Sequence, residues 1–206
     1  MAKRVLLPKV VTAHTTALTQ LRARGYDVSD YEGASVQEIS AMLENKQLAM
    51  TVSAPDGSKV MVVFHVAKAL RPPNVEDYVE QAYHTTGMLG PDDELIIVSK
   101  DSPNDTVNKH VDGIWTSDKK YVAVRSLDSL QFDVLKHKLV PAHRVLSTDE
   151  VEKVRQTYHM TSNKQFPDMS RIDPVALALG MKPGRVVEIV RPSRTAVSSL
   201  YYRKCV

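Results

Sequence analysis

The 206-residue sequence has one cysteine, Cys205, and one tryptophan, and its aromatic fraction is only 6%. A single thiol excludes an internal disulfide and any multi-thiolate metal site. Long hydrophobic runs are missing too. The stretch Val60–Phe64 is five residues, far below the ~18 that a membrane-spanning helix needs. The start, Met1-Ala2-Lys3-Arg4, carries charge, but few apolar residues precede Lys9 and the polar His14-Thr15-Thr16, which does not read as a signal peptide. A cytosolic or nuclear protein without a membrane partner or a structural metal is expected. The eight glycines are dispersed, and Gly87 and Gly90 lack the following Lys-Ser/Thr of a phosphate-cradling loop.

What is present is an ordinary globular composition, 43% hydrophobic and 25% charged, which excludes disorder as the main state. The net charge of +3 hides an asymmetry. Residues 1–138 hold 16 Lys+Arg against 18 Asp+Glu, a net of −2; residues 139–206 hold 11 against 6, a net of +5. Such a basic segment suits an acidic partner surface or nucleic acid, or is simply a solvated face.

Periodicity divides the chain near residue 138. In the first segment, Pro8–Ala23 predicts a helix with Val11, Ala17, Leu18 and Leu21 inward, ended by Gly25. Ser35 and Glu38 form a capping box before Val36, Ile39, Met42 and Leu43. Gln47–Ser53 and Lys59–Ala67 read as a hairpin around Pro55-Asp56-Gly57. Asn74 is the expected cap of a helix carrying Val75, Tyr78, Val79 and Ala82. A buried strand at Leu95–Val98, a polar turn at Lys100–Asp105, a short helix and a strand at Tyr121–Arg125 complete an α/β layer.

The second segment opens at Leu139-Val140-Pro141, and Ser147 with Glu150 is another capping box. Asp173-Pro174 places an N-cap before a first-turn proline, and Gly180 stands where a left-handed C-terminal residue belongs, which limits that helix to about two turns. Strands are expected at Arg185–Arg191 and Leu200–Val206. In the first of these, Val186 and Val187, Ile189 and Val190 fall on opposite faces, so both faces need cover. Sixty-eight residues make a marginal domain that gains from docking against something larger.

Chemistry is sparse. The seven histidines show no i, i+4 zinc spacing, and His65 sits in an apolar strand, where a satisfied core histidine is the plain reading. Asp92, Asp118 and Lys120 together permit a Mg²⁺ nuclease, because two acids can hold the metal while a lysine supports the attacking water. Turn chemistry accounts for Pro91-Asp92 and Ser117-Asp118 without metal. No catalytic residue, metal site or cofactor is expected.

Four stretches in order, LVPAHRVLS (139–147), DPVALALGMKPG (173–184), VVEIVRPSRTA (186–196) and YYRKCV (201–206), resemble one family. It is the fifth-largest common subunit of eukaryotic nuclear RNA polymerases, a family with an archaeal relative. ELIIVSKDSPNDTVNKHV (94–111) resembles that family's strand, small-residue proline turn and helix. This chain departs from the commoner pattern at Ala142 and Pro183, often basic, and at Arg194 and Val197-Ser198-Ser199, where an acidic residue and then glycine are more usual.

The resemblance implies an α+β protein. An N-terminal α/β jaw domain with a nuclease-like mixed sheet would span 1–138, and a small C-terminal α+β assembly domain 139–206. It implies a non-catalytic nuclear subunit, monomeric within a hetero-oligomer, bound to the largest and other polymerase subunits and weakly to downstream duplex DNA within the complex. The positions implied near DNA are Arg71, Pro72, Pro73, Ser102, Pro103 and Asn104. Those implied in assembly are His143, Arg144, Asp173, Pro174, Gly180, Gly184, Arg185, Arg191, Pro192, Arg194, Thr195, Tyr202 and Arg203. A stand-alone nucleic-acid adaptor and the Mg²⁺ nuclease are the competing readings.

Overall fold

A computed structural model describes residues 2–45 and 47–206. The chain divides into two compact units, Met1–Asp133 and Val134–Val206. This division falls five residues before 138, because the short 3₁₀ turn Val134–Lys136 packs with a helix of the second unit, Pro174–Leu179.

The first unit is built on a mixed four-stranded sheet in the order β1 (Ala49–Ser53), β2 (Lys59–His65), β3 (Glu94–Ser99), β4 (Tyr121–Ser126). β1 and β2 form the expected antiparallel hairpin, closed by the Ala54 N–H donating to the Ser58 carbonyl at 2.8 Å. The turn places Gly57 at φ +87°, which favours a residue without Cβ. β2, β3 and β4 are parallel, so helices must return the chain across a sheet face.

Those helices are α3 (Pro72–Glu80), which ends in a π-helical turn at Gln81–Thr85, and α4 (Asp105–Asp118). Val75, Val79, Val107 and Val111 from them pack against Leu95, Ile97, Val122 and Val124. Alternate residues of the same strands face the other way. There Phe64 meets His14 of α1 (Ala2–Ala23), with ring centroids 6.3 Å apart. α2 (Val36–Glu44) carries the Ser35/Glu38 capping box, with Ser35 N–H to Glu38 at 2.7 Å and Glu38 N–H to Ser35 Oγ at 3.2 Å.

Several details differ from the sequence expectations. α1 begins at Ala2 and runs through Pro8, and its inward stripe uses Val10, fully buried, rather than Val11. Asn74 is not the cap of α3. The helix opens two residues earlier on Pro72, whose fixed φ suits a first turn, and Asn74 accepts the Arg71 N–H at 3.3 Å. α4 is 14 residues, not short, and passes through Gly113.

A buried polar chain lies beneath α1. Arg24 pairs with Glu94, and Arg125 Nη1 donates to Gln20 Oε1 at 2.6 Å. Gln20 in turn donates to Asp133 at 3.1 Å. Burial pushes the Arg125 guanidinium down to about 10, partly offset by Glu94.

In the second unit a four-stranded sheet has the order β5 (Ala142–Val145), β7 (Val186–Ser193), β8 (Val197–Cys205), β6 (Asp168–Met169). α5 (Thr148–Thr157) covers one face, where Val151 and Val154 pack on Leu146, Phe166 and Val186. α6 (Pro174–Leu179) covers the other, joining Ala176 and Met181 to Val187, Ile189 and Cys205. Both faces of β7 are thus covered within the unit at its base, and only Val190, 41% exposed, is left open. Beyond it β7 and β8 continue as a bare two-stranded ribbon to a tip at 194–196. Among the described residues, no helix is long and apolar enough to cross a membrane.

Candidate docking surface and nucleic-acid edge

In the first unit, parallel pairing aligns His65 of β2 with Ser99 of β3. The Lys100 N–H donates to the His65 carbonyl at 3.3 Å, which ties the two strand exits together. Arg71-Pro72-Pro73 caps and opens α3, and Ser102-Pro103-Asn104 leads into α4, each after such an exit, so both groups stand on one edge of the sheet. Pro103 and Pro72 are half-buried; Arg71, Pro73, Ser102 and Asn104 are exposed. Asn104 is the N-cap of α4, its Oδ1 accepting the Val107 N–H at 2.9 Å. Pro72 and Pro73 remove two donors from the start of α3, so most free N–H groups on this edge belong to α4. Exposed Lys68, Arg71 and Lys100 are countered by Asp101 and Asp105, which keeps the edge near neutral.

His65 is half-buried, with Nδ1 2.9 Å from the Tyr78 hydroxyl, and burial lowers its pKa. Asp118 and Lys120 of the nuclease constellation lie outside the strands. Asp118 is the last residue of α4 and Lys120 precedes β4, so neither projects from a strand. Lys120 Nζ donates to His84 Nε2 at 2.9 Å and lies over the Tyr83 ring at 5.3 Å, with Asp118 3.7 Å away. No cluster of three metal-ligating side chains occurs among the described residues.

In the second unit the expected assembly positions separate by role. Asp173, Pro174, Gly180 and Gly184 shape the fold locally. Asp173 Oδ1 accepts the Val175 N–H at 2.8 Å, Pro174 opens α6, and Gly180 ends it at φ +62°. Gly184, at φ +93°, donates its N–H to the Cys205 carbonyl at 2.8 Å. Arg185 is exposed just before β7, and its carbonyl accepts the Cys205 N–H. His143 Nδ1 donates to the Pro141 carbonyl at 2.6 Å.

Arg144 joins two strands and a helix. It donates to Glu150 at 2.5 Å and to Glu188 at 3.1 Å. The Glu150 carboxyl is held down at about 2, first by Arg144 and then by the Ser147 N–H. On the same face the Tyr202 hydroxyl donates to Glu188 at 3.3 Å, and its ring meets Tyr158 at 5.9 Å. The opposite face of the ribbon carries Arg191 and Arg203, both directed at the Tyr201 ring, with guanidinium carbons 5.7 and 5.6 Å from its centroid. Pro192, near the end of β7, and Arg194 and Thr195 at the tip are exposed.

Sequence reasoning passed over Tyr201, Glu188 and Tyr158. Period-two alternation puts Tyr201 beside Arg203, but its meeting with Arg191 depends on the Ile189↔Tyr201 register, which no local pattern states.

This second unit has the sequence of a polymerase-subunit module. Residues 132–205 match the family model described as RNA polymerase Rpb5, C-terminal domain. The "DNA-directed RNA polymerase subunit Rpo5" of Thermococcus celer is 45% identical over 73 residues, covering 35% of this chain and 88% of the relative. The proteins of the same name from Methanococcoides burtonii and Archaeoglobus fulgidus are 38% and 39% identical, covering 92% and 96% of those relatives and 35% and 36% of this chain. The chain belongs to the Rpb5 family of RNA polymerase subunits.

Proposed function

We propose that this chain is a non-catalytic subunit of a nuclear multisubunit DNA-directed RNA polymerase, monomeric within that hetero-oligomer. The C-terminal domain, 139–206, docks it on the largest subunit. The N-terminal domain, 1–138, with its nuclease-like sheet, forms part of the jaw beside downstream DNA. One observation carries the reading: a single compact unit of this chain accounts for nearly the whole length of archaeal proteins named as polymerase subunits.

The edge bearing Arg71-Pro72-Pro73 and Ser102-Pro103-Asn104 supports the jaw role, because exposed turns offer main-chain and short polar contacts that position a duplex without reading sequence. With a net of −2, residues 1–138 bind DNA weakly alone, and the assembled enzyme supplies the effective concentration. The test is affinity purification of the tagged full chain with identification of the co-purifying proteins. Recovery of the large polymerase subunits in stoichiometric amount is expected; their absence overturns the reading.

A further inference from the structure

The charges of the second unit are sorted unevenly. Four of its six acids are used internally: Glu150 and Glu188 by Arg144, Glu152 by Arg155, and Asp173 as a helix cap; of the other two, Asp168 lies beside Lys204 in the β6–β8 register, away from the Tyr201 face. Arg185, Arg191, Arg194, Arg203 and Lys204 form no ion pair among the described residues. From Arg185 to the C-terminus Glu188 is the only acidic residue, and it is already taken. An unneutralised basic surface therefore runs along β7 and β8.

The sheet register concentrates that charge. Residues 187, 189 and 191 share a face with 199, 201 and 203, which puts Tyr201 between Arg203 towards the base and Arg191 towards the tip. Two guanidinium groups lie within 6 Å of one ring centroid, and among the described residues neither forms an ion pair with a carboxylate. Each gains from the ring quadrupole, but the two repel one another until an anion comes between them. Arg203 is already half-buried, so little further desolvation is needed when a partner covers it. Planar guanidinium groups bind carboxylates through paired N–H donors.

We infer that the Arg191–Tyr201–Arg203 face takes an acidic segment of a neighbouring polymerase polypeptide, an inference that rests on the polymerase-subunit reading above. A protein occupant is favoured over nucleic acid by what the tip and the reverse face of the same ribbon carry. Val190 and Leu200 pair across the ribbon and are 41% and 52% exposed, and Val197 at the tip is 89% exposed. Tyrosine and arginine beside exposed aliphatic groups, with lysine scarce, is the composition of a protein interface. A phosphate-binding ribbon has no use for bare aliphatic side chains on its other face.

The test uses the full tagged chain purified with its polymerase from cells, as wild type, R191E, R191E/R203E and R191K/R203K. A photo-crosslinking p-benzoylphenylalanine at Ser199, which pairs with Arg191 across the ribbon, identifies what touches the face. Arg191 is exposed, so R191E leaves folding intact, and thermal melting checks the double variant.

R191E is expected to lower recovery of the large subunits at least threefold and R191E/R203E at least tenfold, with R191K/R203K between that and wild type. The crosslinked peptide is expected to be rich in Asp and Glu. Undiminished recovery of well-folded R191E/R203E, or crosslinks to nucleic acid or to a segment without acidic residues, overturns the inference and leaves the polymerase reading standing. Failure of the wild-type chain to recover any polymerase subunit overturns both.

Discussion

Val197 holds a backbone conformation that its side chain resists. It sits where the ribbon turns into β8, at φ +60°, and it is β-branched. Left-handed backbone brings Cβ against the following carbonyl and costs about 1–2 kcal/mol for an L-residue. The side chain is 89% exposed, so almost no burial offsets this. Val197→Gly removes the strain while giving the unfolded chain more freedom, a loss of about 0.4–1 kcal/mol. The net expected gain is about 0.5–1 kcal/mol. For a unit of 73 residues, 1 kcal/mol moves the midpoint by ~4–8 °C, so a rise of roughly 2–8 °C is expected in the transition of the second unit. Differential scanning calorimetry of the full chain reads it. Val197→Ala keeps Cβ and should gain little, which separates backbone strain from side-chain loss. A Gly variant that melts at or below wild type refutes the reasoning.

Three further outcomes follow from the geometry. Glu150, held at about 2 by Arg144, has a depressed carboxyl and so contributes stability above its unfolded value of ~4.3 that is lost as pH falls towards 2; the melting-temperature gap between wild type and Glu150→Gln should be constant from pH 5 to 7 and close below it. Arg24→Ala strands the buried Glu94 carboxylate and should destabilise the first unit by about 3–5 kcal/mol in urea unfolding, whereas a loss below 1 kcal/mol would mean that Glu94 is solvated. Asn104→Asp keeps the cap of α4 while Ser102→Asp adds a second negative charge, so together they should weaken crosslinking of residue 104 to downstream DNA in an elongation complex, more at low salt than at high; no crosslink in the wild-type complex at either salt places this edge away from DNA.

The features legible in the sequence are those whose chemistry is local. Ser35 with Glu38 and Ser147 with Glu150 each close a box within four residues, and Asp173-Pro174 with Gly180 delimit α6, so neighbouring side chains decide them. β5 and β6 were not legible. They have four and two residues and become strands only through partners more than 30 residues away. The same limit explains the buried polar chain: Gln20 and Arg125 read as a helix residue and a strand residue, and only the fold brings them to 2.6 Å. For the candidate surfaces, the arginines were visible as a charge excess. Which of them are neutralised depended on Arg144 collecting both Glu150 and Glu188, a matter of sheet register rather than composition.

The long-range contacts of α1 also set a schedule for biosynthesis. Lys9 finds Asp128, and Gln20 finds Arg125 and Asp133, all more than 100 residues later in the chain. At ~5–20 residues per second, the ribosome delivers Arg125 roughly 5–20 s after Gln20. For that interval the inward stripe of Val10, Ala13 and Leu21 has no complete sheet to cover it. This stripe is therefore the segment of the nascent chain with the longest exposure to chaperones and to aggregation, whereas α5 lies only some 40 residues ahead of its partner strand β7 and is covered within seconds.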